Sequence, residues 1–240
     1  MIYYDTEHPV TMTDERMDRY LRRGWYRIQQ TVITTDLITS EGRLLPVFWL
    51  RLDLRRFRIS RSARRILAKN ADLPVRIADP VIGGEIEELY AAYRASIDFT
   101  IPETAREYLM GDRDTNAYDT SLIEVRDRGR LAAAGFFDCG VESLAGVLHL
   151  YRPEYRRTSP GKYLMLLEIL IAMDRGMRYY YPGYVSTETP KYDYKLFPDP
   201  GSAEVFIRAN DAWFPYESII DELREWSVTA TRVINAPRNS

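Results

Sequence analysis

The sequence contains one cysteine, Cys139, and only two histidines among its 240 residues. A lone cysteine excludes an intramolecular disulfide and any metal centre built from several thiolates. With so little histidine, acid–base chemistry must depend on tyrosine, aspartate, glutamate or a bound water. Tyrosine is abundant, at 18 residues. We therefore expect no metal site.

Long apolar runs are also absent, because no window reaches the roughly 18 apolar residues that a membrane span requires. The first fifteen residues, MIYYDTEHPVTMTDE, are acidic and lack the basic-then-apolar order of a signal peptide. Neither sign of charge dominates, since the formal net charge is −2. These features predict a cytoplasmic protein without a membrane partner. The length permits one large domain or two small ones.

The strongest secondary-structure signal lies in residues 156–185. Ser159 and Thr158 are N-cap residue types, Pro160 suits a first helical turn, and Gly176 is a natural helix end. The residues between them are apolar on nearly every side, so both sides of this helix must be covered. Its N-terminal N–H groups offer a natural anion site. An aromatic strand is predicted over residues 177–185.

Three strands in series are predicted before this helix, over residues 121–127, 130–139 and 144–151, with turn-forming residues between them. They indicate an antiparallel meander. The remaining predictions are a loose arm (1–13), helices (14–23, 83–97, 102–110 and 216–226), strands (24–38, 44–54 and 204–208) and a disordered C-terminal end. The order of elements resembles the GNAT acyltransferase fold. The predicted class is α+β, with a mixed, largely antiparallel sheet flanked by helices.

Three parts of the chain are expected: a small β-containing N-terminal subdomain with the basic segment (1–75), the GNAT-like domain (76–210), and a C-terminal helix with its tail (211–240). The basic segment, residues 51–69, holds eight Arg and Lys side chains and one acid, Asp53. Nearly all are Arg, which suits bidentate contact with phosphate or carboxylate. Acids that would form i,i+4 pairs are missing. A solvated helix face is the alternative to an anion-binding surface.

Four stretches together resemble the aminoacyl-tRNA–protein transferases of the N-degron pathway, which are the arginyl-tRNA–protein transferases and their bacterial leucyl-transferring relatives. The stretches are LRRGWYRIQQ, SRSARRILAKNAD, RTSPGKYLMLLEILIAMDRGMRYYYPGY and KYDYKLFPDP. They occur in the family's order over residues 14–200. The turn RRTSPG departs from the usual GNAT signature, because Ser159 replaces its first glycine.

This resemblance implies transfer of Arg or Leu from aminoacyl-tRNA to the N-terminal amine of a protein or peptide that has an acidic first residue. It implies no DNA partner and no cofactor besides the tRNA co-substrate. The donor is expected between residues 144–151 and 177–185. Catalytic residues are expected at Tyr184, Asp138 and Tyr194, and acceptor-binding residues at Lys195 and Arg152. Donor or tRNA contacts are expected from Arg58, Arg61, Arg64, Arg65, Arg156, Arg157, Ser159 and Gly161.

Two departures from the family keep other interpretations open. The cysteine pairs that bind a metal or iron–sulfur cluster in many members are missing, and Arg152 replaces an acid. An acyl-CoA-dependent GNAT enzyme and a non-catalytic tRNA- or peptide-binding descendant are the alternatives. Aminolysis of an activated ester needs positioning more than a strong base, since an α-amino group has a pKa of about 7.7–8.0. His149 and Cys139 are predicted to be core residues.

Overall fold

The computed structural model describes residues 3–40 and 42–235. The helices are α1 (Asp14–Arg22), α2 (Arg61–Lys69), α3 (Gly84–Arg94), α4 (Ala105–Met110), α5 (Pro160–Asp174) and α6 (Tyr216–Ile234). The strands are β1 (Tyr4–Glu7), β2 (Tyr26–Ile28), β3 (Thr31–Thr35), β4 (Leu37–Ser40), β5 (Arg43–Pro46), β6 (Phe48–Asp53), β7 (Val75–Ala78), β8 (Thr120–Asp127), β9 (Arg130–Cys139), β10 (Ser143–Tyr151), β11 (Tyr179–Val185), β12 (Ala203–Ile207) and β13 (Ala212–Pro215).

An eight-stranded sheet forms the centre, in the order β13-β12-β6-β11-β10-β9-β8-β7. The pair β10–β11 is parallel and every other neighbouring pair is antiparallel. The predicted meander is present as β8, β9 and β10, and α5 makes the crossover to β11. The predicted α+β class, with a mixed sheet between helices, is confirmed.

Both faces of the sheet are covered. On one face, α5 places Leu164 and Ile169 in a core that also contains Leu52 and Phe137, and α2 packs against α5. On the other face, α3 and α4 bury Leu89, Leu109 and their neighbours against β8, β9 and β10. Each large apolar side chain fully buried in this way contributes about 1.5–3 kcal/mol. The expectation that α5 is covered on two sides is thus met.

The N-terminal part contributes directly to the main sheet. The predicted strand 44–54 divides into β5 and β6, and β6 lies between β11 and β12. The predicted strand 24–38 divides into β2, β3 and β4, and a turn at Gln29, whose φ is +55°, separates β2 from β3. The expected loose arm was wrong for residues 4–7, which pair with β3.

Further differences lie at the edges of the main sheet and in the last helix. Strands β7 and β13 were not predicted, although each pairs along its length with a neighbour. Helix α6 continues to Ile234, beyond the predicted end at residue 226. What remains of the expected disordered end, residues 236–240, lies outside the described residues. Within the described ranges, no helix is both long and apolar enough to cross a bilayer.

Candidate active site

The candidate site is a gap between two parallel strands. The ladder between β10 and β11 joins only Ser143–Ala145 to Tyr179–Tyr181, although both strands continue to Tyr151 and Val185. The strand gap is defined as the opening between residues 146–151 and 182–185, where the two facing strands do not pair with each other. Parallel strands that separate towards their carboxyl ends form a crevice where a ligand can bind.

Local sequence accounts for this separation. Pro182 has no N–H to donate to a ladder, and Gly183 has a φ of +102°, a conformation that L side chains rarely adopt. The register of β11 with β6 is irregular between Tyr180 and Gly183, and β10 has an irregularity of its own between Gly146 and Leu148. Such irregularities bend strands, and here one lies on each side of the gap.

A buried carboxylate lies where the gap begins. Glu168 of α5 is fully buried, and its Oε1 lies 2.8 Å from His149 Nε2. The hydroxyl of Tyr180 donates to Glu168 Oε2 at 2.6 Å. A Cβ at Gly146 would lie 2.6 Å from that same oxygen and 2.8 Å from the Tyr180 hydroxyl. Glycine is therefore required at this point of β10, because any side chain would displace the carboxylate.

Aromatic rings line the β11 side of the gap. The Tyr184 ring lies 5.7 Å from Trp49 and 5.0 Å from Tyr192, centroid to centroid, and Tyr26 stacks on Trp49 at 5.7 Å. Burial raises the pKa of Tyr184 and raises that of Tyr26 well above its ordinary value. Both phenols consequently keep their protons near neutral pH. They can donate hydrogen bonds to a ligand but cannot act as bases.

Lys195 is a buried cation beside these rings. Its Nζ donates to the Tyr184 carbonyl at 2.9 Å and lies 4.3, 5.2 and 5.9 Å from the ring centroids of Tyr184, Tyr192 and Tyr194. No carboxylate in the described chain forms an ion pair with it, and burial lowers its pKa to about 7. Tyr194 itself is 44% exposed. The structure therefore brings together Tyr184, Tyr194 and Lys195, whose roles stay predictions.

Arg152 lies elsewhere, against the other neighbour of β10. Its Nε donates to the Leu131 carbonyl at 2.9 Å, and its Nη2 lies 4.0 Å from a carboxylate oxygen of Glu88 on α3. It shares no contact partner with Lys195. The Arg152 guanidinium is buried against β9 and α3, so no contact joins it to Lys195, and its acceptor-binding role stays a prediction.

Asp138 has partners inside the protein rather than in the gap. It is fully buried, and its Oδ1 accepts hydrogen bonds from Arg27 at 2.7 Å and Thr120 at 2.6 Å. Burial raises its pKa, against the opposing effect of Arg27. A separate cavity of about 270 Å³ borders Arg27 and Thr120 but includes no residue of β10 or β11. The observed contacts join β2 to the main sheet, and a catalytic role for Asp138 stays a prediction.

The N-terminus of α5 differs from the predicted cap. Ser159 occupies the N-cap position, but its φ and ψ are both 57° and its side chain forms no capping bond. Thr158 bonds to the Tyr155 carbonyl instead. The first helical turn begins with Pro160 and Gly161 and contains no acid. The free N–H groups of this turn therefore have no capping side chain, and they lie at the positive end of the helix dipole.

A basic surface lies beside this helix end. We define it as the exposed residues Arg58, Arg61, Arg64, Arg65, Lys69, Arg156 and Arg157. The Asn70 side chain, which follows α2, donates to the Thr158 carbonyl at 3.0 Å and so fixes α2 against the turn that carries Arg156 and Arg157. Not one of these seven cations forms an ion pair with a residue that the structure describes.

Three arginines of the basic segment, Arg51, Arg55 and Arg56, are not part of this surface, and two of them pair with an acid. Arg51 is buried, pairs with Glu204 at 2.7 Å and lies between the rings of Tyr179 and Trp213. Arg56 lies 3.5 Å from the same glutamate and donates to the Gly201 carbonyl. The sequence therefore overestimated the number of free positive charges in this segment, because Arg51 and Arg56 pair with Glu204 on β12.

Sequence reasoning missed Glu168 and misjudged His149. Glu168 is the only acidic residue among the apolar residues 160–173. A single acid in an otherwise apolar, buried helix signals a polar partner, because an ionised group is rarely buried unpaired. His149 is that partner and is partly exposed, so it is not simply a core residue.

Cys139 is buried, and its Sγ lies 3.0 Å from Arg175 Nη1. Among the described residues, no three His, Cys, Asp or Glu side chains are placed to hold a metal ion.

The sheet order, the crossover helix and the strand gap define a GNAT-like α+β domain. Comparison with known proteins identifies its family. A family model described as "Arginine-tRNA-protein transferase, C terminus" matches residues 85–202. An aspartate/glutamate leucyltransferase from Rhodopseudomonas palustris is 32% identical over 204 residues, which cover 78% of this chain and 77% of that protein. The chain belongs to this family, and the resemblance predicted from sequence is confirmed.

Two further similarities were found. An aspartate/glutamate leucyltransferase from Leptospira interrogans is 30% identical over 168 residues, or 68% of this chain. The matched region spans 65% of that relative, which is less than two thirds of its length. Among solved structures, a GCN5-related N-acetyltransferase from Anabaena variabilis is 11% identical with a TM-score of 0.44, and the match covers 84% of this chain and 43% of that one.

Proposed function

We propose that this protein transfers an amino acid, leucine or arginine, from aminoacyl-tRNA to the N-terminal amine of a protein or peptide that begins with Asp or Glu. The single observation that carries the proposal is the attachment of an unpaired basic surface to the helix that borders the strand gap, through the bond from Asn70 to Thr158. Family membership supplies the reaction class.

The basic surface suits the tRNA backbone. Its exposed arginines have no acidic partners in the described chain, so their guanidinium groups are available for bidentate phosphate contacts. The uncapped N-terminus of α5 lies next to this surface and favours one more phosphate. From there the aminoacylated 3′ end enters the strand gap, where backbone groups of β10 and β11 that do not pair with each other can bind it.

Lys195 suits an acidic acceptor residue. A buried ammonium without a carboxylate partner is disfavoured, which is why its pKa falls to about 7. An Asp or Glu side chain brought beside it would supply the missing counter-charge and restore the charged form. A neutral side chain such as Asn or Ala could not. Selectivity for acidic first residues then follows from the electrostatics of one site.

The chemistry is aminolysis of the ester between the amino acid and the tRNA 3′ end. A useful fraction of α-amino groups is neutral near pH 7.5, since their pKa is about 7.7–8.0. Holding the amine next to the ester carbonyl converts the reaction into an effectively unimolecular step. Hydrogen-bond donors in the gap, including the Tyr184 phenol, can stabilise the developing oxyanion.

The test is a transfer assay with purified protein, tRNA charged with leucine or with arginine, and a peptide beginning with Asp. Labelled amino acid should appear at the peptide N-terminus with one of the two tRNAs. A parallel reaction with acetyl-CoA and the same peptide should give no product. Acetylated peptide, or binding of charged tRNA with no transfer, would favour the acyl-CoA enzyme or the non-catalytic binding protein, respectively.

A further inference from the structure

Glu168, His149 and Tyr180 form a hydrogen-bonded chain at the start of the strand gap. Glu168 belongs to α5. His149 lies on β10, beyond the residues that pair with β11, and Tyr180 lies on β11 among the residues that pair with β10. Three elements thus converge on one buried carboxylate, and Gly146 is kept without a side chain so that the carboxylate fits. The aminoacyl transfer described above gives these three residues no role.

Hydrogen bonding to Glu168 fixes the state of the imidazole. An ionised carboxylate is only an acceptor, so the Tyr180 hydroxyl and His149 Nε2 both donate to it. Burial, followed by the charge of Glu168, raises the pKa of Tyr180 well above its ordinary value, which agrees with a phenol that keeps its proton. A neutral His149 is then the Nε2–H tautomer, and its Nδ1 carries a free lone pair.

That lone pair is free to accept a hydrogen bond. Nδ1 has no hydrogen-bond partner in the part of the chain that the structure describes, yet it is not among the buried polar atoms without a partner. The His149 side chain is 17% exposed while Glu168, its partner, is fully buried. Helix α5 covers one side of the ring and Gly135 of β9 flanks it. Because Gly135 lies on the Cδ2 side of the ring, Nδ1 lies on the opposite side, away from β9 and toward β11 and the strand gap.

We propose that His149 is the proton-carrying residue of the transfer and that Glu168 and Tyr180 are its positioning residues. This inference rests on the proposed function. The attacking amine forms its bond to the ester carbonyl carbon as the carbonyl electron pair moves onto oxygen. The nitrogen gives a proton to His149 Nδ1. When the pair returns, the bond to O3′ breaks, and Nδ1 gives that proton to O3′. A peptide bond and a 3′-hydroxyl result.

The matched variants are His149→Gln and His8→Gln. Glutamine can still donate to Glu168 but cannot carry the proton, and His8, the other histidine, is exposed near the N-terminus. General acid–base catalysis contributes about 10²–10⁴-fold. His149→Gln should therefore slow single-turnover transfer from charged tRNA by about 100-fold or more, with tRNA affinity and Tm unchanged. His8→Gln should behave as wild type.

Chemical rescue separates a proton carrier from a structural residue. Added imidazole should accelerate transfer by His149→Ala severalfold and leave wild type unaffected, whereas a purely structural loss would not respond. Glu168→Gln should slow transfer while retaining the imidazole. If His149→Gln transfers at the wild-type rate, the inference is overturned although the proposed function stands. If wild type transfers from neither charged tRNA, both fall.

A spectroscopic measurement on wild type needs no variant at the site. With 15N-labelled histidine, the signals of His149 and His8 are distinguished by comparison with His8→Gln. His149 should show protonated Nε2 and unprotonated Nδ1 near neutral pH. A His149 found as the Nδ1–H tautomer, or doubly protonated from pH 6 to 8, would contradict the assignment even if the variants were too unstable to assay.

Discussion

Arginine serves opposite purposes in two regions of this molecule. Arg27 in β2 is buried, and its guanidinium bonds to Asp138, Thr120 and the carbonyls of Gln29 and Leu109. Arg61, Arg64 and Arg65 in α2 are exposed and form no ion pair within the described chain. The first guanidinium holds elements together, and the others remain available to a partner. The partners of an arginine, rather than the residue type, determine whether it is structural or available to a ligand. A count of charges along the sequence therefore cannot distinguish the two kinds of arginine.

Arg27→Ala should have the largest effect on stability. It leaves Asp138 buried without its partner, and breaking a buried pair costs about 3–5 kcal/mol. At roughly 2–4 °C per kcal/mol for a chain of this size, Tm should fall on the order of 10 °C. Differential scanning calorimetry measures it. The double variant Arg27→Met, Asp138→Leu should recover much of the loss. Equal losses in the single and double variants would show that the pair is not the cause.

Arg61→Glu combined with Arg64→Glu should have the largest effect on tRNA binding and almost none on Tm. If about four phosphates are contacted, log K for wild type should fall with log salt at a slope of about −3. Removing two contacts should make the slope shallower by about 1.5. Fluorescence anisotropy across a salt series tests this. Arg19→Glu with Arg23→Glu makes the same charge change on exposed residues elsewhere, and equal weakening in that control would refute a specific surface.

Sequence predicted the elements whose signals are local. The meander β8–β10 was placed within one residue at its ends, because alternation and turn residues mark each strand. Helix α5 was recognised from its apolar run and its flanking Pro160 and Gly176. The two arginine regions show what was not predictable: Arg51 is close in sequence to α2, yet its partner Glu204 is on β12. Only the position of β6 between β11 and β12 brings that pair together.

The site was predictable in part for the same reason. The location of the strand gap followed from the order of elements, and Lys195 was singled out by its motif. The chain Glu168–His149–Tyr180 required knowledge of which face of α5 lies under the gap, and that depends on packing between elements distant in sequence. Likewise, Arg152 follows β10 directly, but its side chain is directed by β9 and α3.

Lys195 is buried like Arg27 but unpaired like Arg61, so it tests whether a missing partner marks a binding site. Lys195→Ala should slow transfer to Asp- and Glu-initiated peptides by about ten- to hundredfold, which corresponds to the 1.5–3 kcal/mol of a charge-assisted hydrogen bond. Peptides beginning with Asn or Ala should be little affected, and Lys191→Ala, an exposed neighbour, is the control. Equal loss on all four peptides would mean that Lys195 serves the donor or the fold.

The same residue predicts a pH dependence of selectivity. Burial lowers the Lys195 pKa to about 7, so its charge is present below that pH and is lost as the pH rises through it. The ratio of kcat/KM for the Asp peptide over the Ala peptide should therefore fall between pH 6 and 8.5. Because both peptides have an α-amino group, its titration affects them similarly and cancels in the ratio. In Lys195→Ala this ratio should not change with pH. A ratio that does not change with pH in wild type would contradict the acceptor assignment.

The smallest effect is expected where an arginine is exposed and already paired. Arg76 in β7 donates to Glu124 at 2.7 and 3.2 Å, with 67% of its side chain exposed. Water screens such a pair and its ordering costs side-chain entropy, so Arg76→Gln should lower stability by less than about 1 kcal/mol. Because this guanidinium is already paired and is not part of the basic surface, tRNA affinity and its salt dependence should also stay at wild-type values. If Arg76→Gln instead weakens tRNA binding as strongly as the α2 variant, exposed arginines contribute to binding whether paired or not. The contrast between paired and unpaired cations would then not identify the tRNA surface.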